Sequence, residues 1–173
     1  MKHYIILIIT LTFFLGCSVK NTPSNIVTNK TTKTNIEKLT TQINSLNDYI
    51  DEEEAYSLAY NAVTYSKYLA QKYEVVKPAL FHNLLINLDI RDRGLCYHYA
   101  NDLLKYLNKK KYKTFKLIKI VSSPGQYFEH TSIAVTTHRN KFNESIILDA
   151  WRDSGKLYFS KIKDDKKYDW EIR

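Results

Sequence analysis

Cys96, His130 and Asp149 occur in that order along the chain and carry the side chains of a nucleophile, a base and a group that orients the base. A cysteine attacks as the thiolate, and unpaired N–H groups at a helix N-terminus favour that anion. Cys96 stands at such a place. In "RDRGLCYHYANDLLKYL" a polar junction containing Gly94 leads into an amphipathic run with Tyr99, Ala100, Leu103, Leu104 and Leu107 on one face. His130 opens "HTSIAV", and Asp149 ends the apolar run of "SIILDAW". If these two strands form a hairpin through "RNKFN", imidazole and carboxylate meet; Asp149 then fixes the tautomer of His130, and His130 takes the proton of Cys96. A blander reading stands beside this one: a first-turn cysteine is often a small buried hydrophobe, and His130 with Asp149 can be a structural pair.

The elements that must position these groups are legible from periodicity. In "NDYIDEEEAYSLAYNAVTYSKYLAQKYEVVKP" the residues Ala55, Leu58, Ala59, Ala62, Val63, Leu69, Ala70 and Tyr73 recur at helical spacing. The acids from Asp51 to Glu54 sit at the positive end of that helix, and Pro78 lies beyond its far end. "PALFHNLLINLD" predicts a second helix packing Leu80, Phe81, Leu84, Leu85 and Leu88 inward, and the helix of Cys96 follows over about residues 95 to 108. The period then changes. "TFKLIKIV", "HTSIAVTTH", "ESIILDAW" and "KLYFSKI" are short, β-branched or aromatic runs separated by turn signals. Helices followed by an antiparallel sheet predict an α+β domain, and no internal repeat is visible.

The chain of 173 residues, 44% hydrophobic and 25% charged, suffices for one ordinary core, so one domain is expected. Its front end differs from the rest. "MKHYIILIITLTFFLGCS" has a basic start and an apolar run from Tyr4 to Leu15, shorter than the ~20 residues of a membrane span, and reads as a secretory signal. Phe14-Leu15-Gly16-Cys17 resembles a bacterial lipoprotein box, with Phe14 where leucine is usual. That resemblance implies cleavage after residue 16 and acylation of the Cys17 sulfur, which anchors a soluble domain to a membrane. The organisation that follows is a signal over 1–16, a lipidated Cys17 and polar tether over 17–46, and a folded domain over 47–173. A Cys17–Cys96 disulfide would tie the signal junction to the middle of the domain; with Cys17 acylated, Cys96 is an unpaired thiol.

With these elements in place, the chain resembles the transglutaminase-like branch of papain-type cysteine peptidases. There a Gly-x-Cys opens the core helix, a histidine begins a strand, and an aspartate closes the next. Here "GLC", "HTSIAV" and "ILDAW" fill those positions, over about residues 78 to 151. The family's aromatic-rich run after the histidine is absent, and Ala150 stands where proline often follows the aspartate. The resemblance implies a papain-like core and a Cys96-His130-Asp149 triad acting on an amide. Its oxyanion hole is formed by the Cys96 N–H and an upstream side chain, for which Asn87 is preferred over Asn83. Bacterial periplasmic members of the family are closest in size. A cell-wall peptidase of the other papain-like branch is a further comparison, against which Asp149 argues because its third member is usually another histidine or polar residue.

The remaining candidates have lesser roles. Trp151 and Arg152 follow the proposed aspartate and are candidate substrate-binding groups, with core packing and a salt bridge as their default uses. His98 is two helical positions past Cys96 and points away from it, and His138 falls toward the far end of the His130 strand. A metal site built from Cys96, His98, His130 and Asp149 lacks the paired short spacings of a structural zinc site, so no metal or other cofactor is expected. The net charge of +8 and the run "KKKYKTFK" fit a solvated helix terminus, and no nucleic-acid-binding motif is present. Two functional expectations result. One is a lipid-anchored envelope thiol enzyme acting on a protein or a peptidoglycan peptide, on the periplasmic side of the outer membrane if the cell has two membranes. The other is a non-catalytic envelope lipoprotein that uses the same fold to bind or assemble.

Overall fold

A computed structural model describes residues 30–173. Four helices come first: α1 (Lys30–Asn44), α2 (Glu52–Lys72), α3 (Ala79–Asn87) and α4 (Cys96–Asn108). Five strands follow: β1 (Lys116–Ser122), β2 (His130–Thr136), β3 (Ile146–Asp149), β4 (Tyr158–Lys161) and β5 (Glu171–Ile172). They form one antiparallel sheet in the order β4-β3-β2-β1-β5. The architecture is α+β, as the change of period predicts. Among the described residues, no helix is long and apolar enough to cross a membrane.

The central strand β2 is buried along nearly all its length, because both faces of the sheet are covered. On one face α4 lies across β1 and β2 and packs against α2. Here Leu58, Leu69, Tyr99, Leu103 and Leu107 meet Ile133, Val135, Ile146 and Leu148. On the other face Ile120, Ala134 and Ile147 are covered by Ile162 and Trp170 from the C-terminal segment. The faces alternate along each strand as the pleat requires. The site sits where the start of α4 reaches the β2–β3 end of this sheet.

Local chemistry fixes the ends of α2. Asp51 is its N-cap and accepts from the Glu54 N–H at 2.8 Å. The Glu54 carboxylate accepts in turn from the N–H groups of Lys113 and Thr114, and so ties the entry of β1 to the helix start.

Two expectations are corrected. The polar segment assigned as tether through residue 46 is a helix from Lys30, with Ile36, Leu39 and Ile43 buried against α2. Its buried Thr32 hydroxyl meets the Lys67 ammonium of that helix. Three apolar residues at three- and four-residue spacing suffice to seat a Thr- and Lys-rich helix once α2 offers a groove. The expected signal and Cys17 lie outside the described residues. The second correction concerns α3, which buries Ala79 and His82, while Leu80, Phe81, Leu84 and Leu88 face solvent. The expected inward face is therefore the outward one.

Candidate active site

Cys96 is the first residue of α4, and two histidines hold the turn that delivers it. The buried His82 of α3 accepts from the Val76 N–H at Nδ1 (3.2 Å) and meets the Arg93 carbonyl at Nε2 (2.9 Å), which makes it a neutral imidazole with its proton on Nε2. Its ring lies against Gly94: a Cβ at that position, where φ is +132°, would fall 2.3 Å from His82 Nε2. Gly94 thus admits a close approach by an imidazole of the same chain. From the other side His98 reaches back, its Nδ1 accepting from the N–H groups of Gly94 and Leu95 at 3.2 Å each. Burial, and then the neighbouring Arg93, lower the proton affinity of His98 and suit it to this acceptor role. Leu95 supplies no side-chain cap, and the Cys96 N–H has no acceptor within the described residues.

His130 is seated by the sheet. It begins β2 opposite Ser122, and the β2–β3 register runs through Ile133↔Leu148. Carried one step further, that register puts Asp149 beside Ser132, so His130 and Asp149 are diagonal neighbours on one face, within reach of each other's side chains. His130 Nε2 lies 2.7 Å from Asp149 Oδ2, and both side chains are almost wholly buried. Trp151, Tyr168 and Trp170 surround the imidazole at centroid distances of 4.8, 4.5 and 5.3 Å. Its other nitrogen, Nδ1, is buried without a hydrogen-bond partner among the described residues. Burial works against the imidazolium, but the hydrogen bond and charge of Asp149, followed by the influence of the nearby Cys96, outweigh it and raise His130 to about 9.

Asp149 is held as a carboxylate by four donors. Oδ2 accepts from His130 and from Arg152 Nε (2.8 Å), and Oδ1 accepts from the Trp151 and Arg152 N–H groups at 3.0 and 3.1 Å. Burial opposes the charge, yet His130 and then Arg152 bring Asp149 down to about 2. The Arg152 guanidinium continues to Asp165 with two bonds of 3.2 and 2.6 Å, between the rings of Tyr158 and Tyr168. Asp165 also accepts from the Trp170 indole at 2.9 Å.

The groups open onto a cleft of about 500 Å³. Cys96, half-buried, lines it with His130, Asn83, Trp151 and Tyr168, and the aromatic pair Tyr127 and Phe128 stands at the rim rather than sealing the thiol. Of the two amides weighed from sequence, Asn83 faces this cleft and Asn87 is exposed elsewhere, which corrects the preference for Asn87. The Trp151 indole donates to Asn83 Oδ1 at 3.2 Å; an indole N–H can only donate, so the amide orientation is fixed and its NH₂ is left available. Trp151 therefore orients Asn83 and packs on His130. Arg152 borders the cleft with every side-chain nitrogen committed to a carboxylate, so it supports Asp149 rather than offering charge to a ligand. His138 is exposed beyond the far end of β2.

The residues missed by sequence reasoning are His82, Asp165, Tyr168 and Trp170. The last three come from the irregular tail, where no period links them to His130. His82 offered one signal, a polar residue at the centre of an apolar helical run.

A scan against protein-family models and searches of curated proteins and of solved structures found no match to this chain.

Proposed function

We propose that this protein is a thiol enzyme of transglutaminase-like type, acting on an amide through Cys96, His130 and Asp149. One observation carries the reading: His130 is buried with Nε2 on Asp149, its Nδ1 has no hydrogen-bond partner among the described residues, and it lines the same cleft as Cys96. A nucleophile beginning a helix, packed on a sheet whose buried strand starts with the base, supports a papain-like core.

In the reaction, Cys96 Sγ attacks the carbonyl carbon after its proton passes to His130 Nδ1. The developing oxyanion is met by the Cys96 N–H and the Asn83 amide NH₂, two donors without acceptors among the described residues. Collapse breaks the C–N bond, and His130 gives its proton to the leaving amine. Water, deprotonated by His130, then adds to the thioester, releasing the acid and restoring the thiol; an amine in place of water gives transfer. Asp149 holds the imidazole tautomer and balances its charge throughout. A lipid on Cys17 would hold this domain at an envelope membrane, where a protein or a peptidoglycan peptide would be the substrate.

The test is iodoacetamide alkylation of Cys96 as a function of pH, in the protein and in His130→Ala. The expected result is rapid alkylation well below the ordinary thiol range of about 8.5, slowed in the variant. Ordinary thiol kinetics in both proteins would overturn the enzymatic reading.

A further inference from the structure

The outward apolar face of α3 leads into the cleft. Leu80 lines the cleft and is still 68% exposed, and Leu84 and Leu88 continue from it at four-residue intervals on the same side of the helix. At ~1.5 Å of rise per residue, this ridge runs about 12 Å from the cleft mouth. Across the mouth, Tyr127 and Phe128 are 92% and 78% exposed while also lining the cleft, their rings in edge-to-face contact. Large exposed apolar residues in one continuous patch mark a binding surface.

Two of the charged groups along this path, Glu129 and Arg152, are already engaged. Glu129 is bound by the Gly125 N–H and by Arg173, and Arg152 is divided between Asp149 and Asp165. Lys167, an exposed lysine lying against the Tyr168 ring, is the cleft-lining charge without a carboxylate partner among the described residues. A charged or strongly polar ligand would find few groups to pair with here, whereas an apolar one meets Leu80, Phe128 and Tyr127 on its way to Cys96.

We infer that the substrate carries an extended apolar chain on one side of its reacting carbonyl, and that this chain lies along Leu80 and Leu84 under the Tyr127–Phe128 rim. The inference rests on the thiol-enzyme reading and names the class of substrate for that site.

The probes are N-methyl, N-butyl and N-octyl iodoacetamide, with rates at Cys96 divided by their rates with glutathione. Alkylation forms the S–C bond and expels iodide, so no other reactant is needed. The expected result is a normalised rate for the octyl reagent roughly tenfold or more above the methyl one, since each added methylene leaves water. In Leu84→Ser and in Phe128→Ala, the octyl-to-methyl ratio measured within the same variant should fall by roughly threefold or more. These residues are exposed, so neither change removes core packing. A ratio near one with a fast methyl reaction would overturn the inference while leaving the thiol reading intact; a slow methyl reaction that ignores His130→Ala would overturn the thiol reading instead. A high ratio untouched by both substitutions would also overturn the inference. If the ratio is near one and the protein sediments with neutral phosphatidylcholine vesicles, the ridge belongs to a lipid surface.

Discussion

Titration of His130 is expected to set how the stability of this protein declines in mild alkali. An imidazole in the unfolded chain titrates near 6.5, and the folded environment raises it to about 9. Since the folded value lies above the unfolded one, the stabilisation is fully present below pH 6.5 and is lost as pH rises through about 9. At ~1.4 kcal/mol for each tenfold change in proton affinity, that interval is worth about 3 kcal/mol. The clean perturbation is His130→Asn in a Cys96→Ser background, which removes the thiol as a second titrating group. Asp149 contributes more to the rise than Cys96 does, so part of that stabilisation is expected to remain. Urea unfolding of Cys96→Ser with and without His130→Asn, at pH ~6 and pH ~9.5, gives the difference in stability at each pH, in which lysines and tyrosines common to both proteins cancel. The stability advantage of the histidine should shrink between the two pH values, by at most about 3 kcal/mol. A constant advantage would mean that the imidazole gains no proton affinity on folding, and would refute the buried ion pair from which the chemistry is argued.

The other expectations concern what holds the site. Gly94→Ala would press a methyl onto the His82 ring at a φ of +132°, costing about 2 kcal/mol or more in urea midpoints, and would slow alkylation of Cys96 by shifting the turn before it. Asp165→Asn leaves Arg152 with one carboxylate fewer in a buried site, with an expected loss of about 3 kcal/mol in unfolding free energy. Leu39→Ala removes a fully buried side chain of α1 and should cost about 2 to 5 kcal/mol; a change near zero would restore the tether reading of that segment.

Much of the fold was legible because its periods are clean. The α2 and α4 stripes are buried as read except that Ala70 and Leu104 are half-buried, and three of the five strands fall within the runs identified, with β1 overrunning its run by Ser122. The order of Cys96, His130 and Asp149 was legible for the same reason, since each marks the end of an element. What failed depends on tertiary partners. In α1, Ile36, Leu39 and Ile43 are too few to signal a helix against so many threonines and lysines, and α2 supplies the missing half of the interaction. In α3 the apolar period was read correctly as a helix, but period alone does not say whether its face meets a core or a cleft. His82 decides that orientation, because its two hydrogen bonds to Val76 and Arg93 require the imidazole inward and turn the leucines out. Asn83 and Asn87 are one turn apart and indistinguishable by pattern; the indole of Trp151 distinguishes them, from 68 residues away.

The charges of the buried cluster explain why Arg152 is wholly committed to carboxylates. Asp149 and Asp165 carry two negative charges into a region from which water is nearly excluded, and the Arg152 guanidinium bonds to both. One cation between two carboxylates leaves a net negative charge, and an uncompensated buried charge costs several kcal/mol. A proton on His130, bonded to Asp149 and enclosed by three aromatic rings, closes that balance. A neutral residue in place of Asp165 would let Arg152 alone satisfy Asp149 and would weaken the hold on the imidazolium. The second carboxylate, supplied by the tail and bound by the Trp170 indole, thus keeps Asp149 available to His130. Folding of the tail onto the sheet and retention of a proton on His130 are, on this account, one electrostatic requirement.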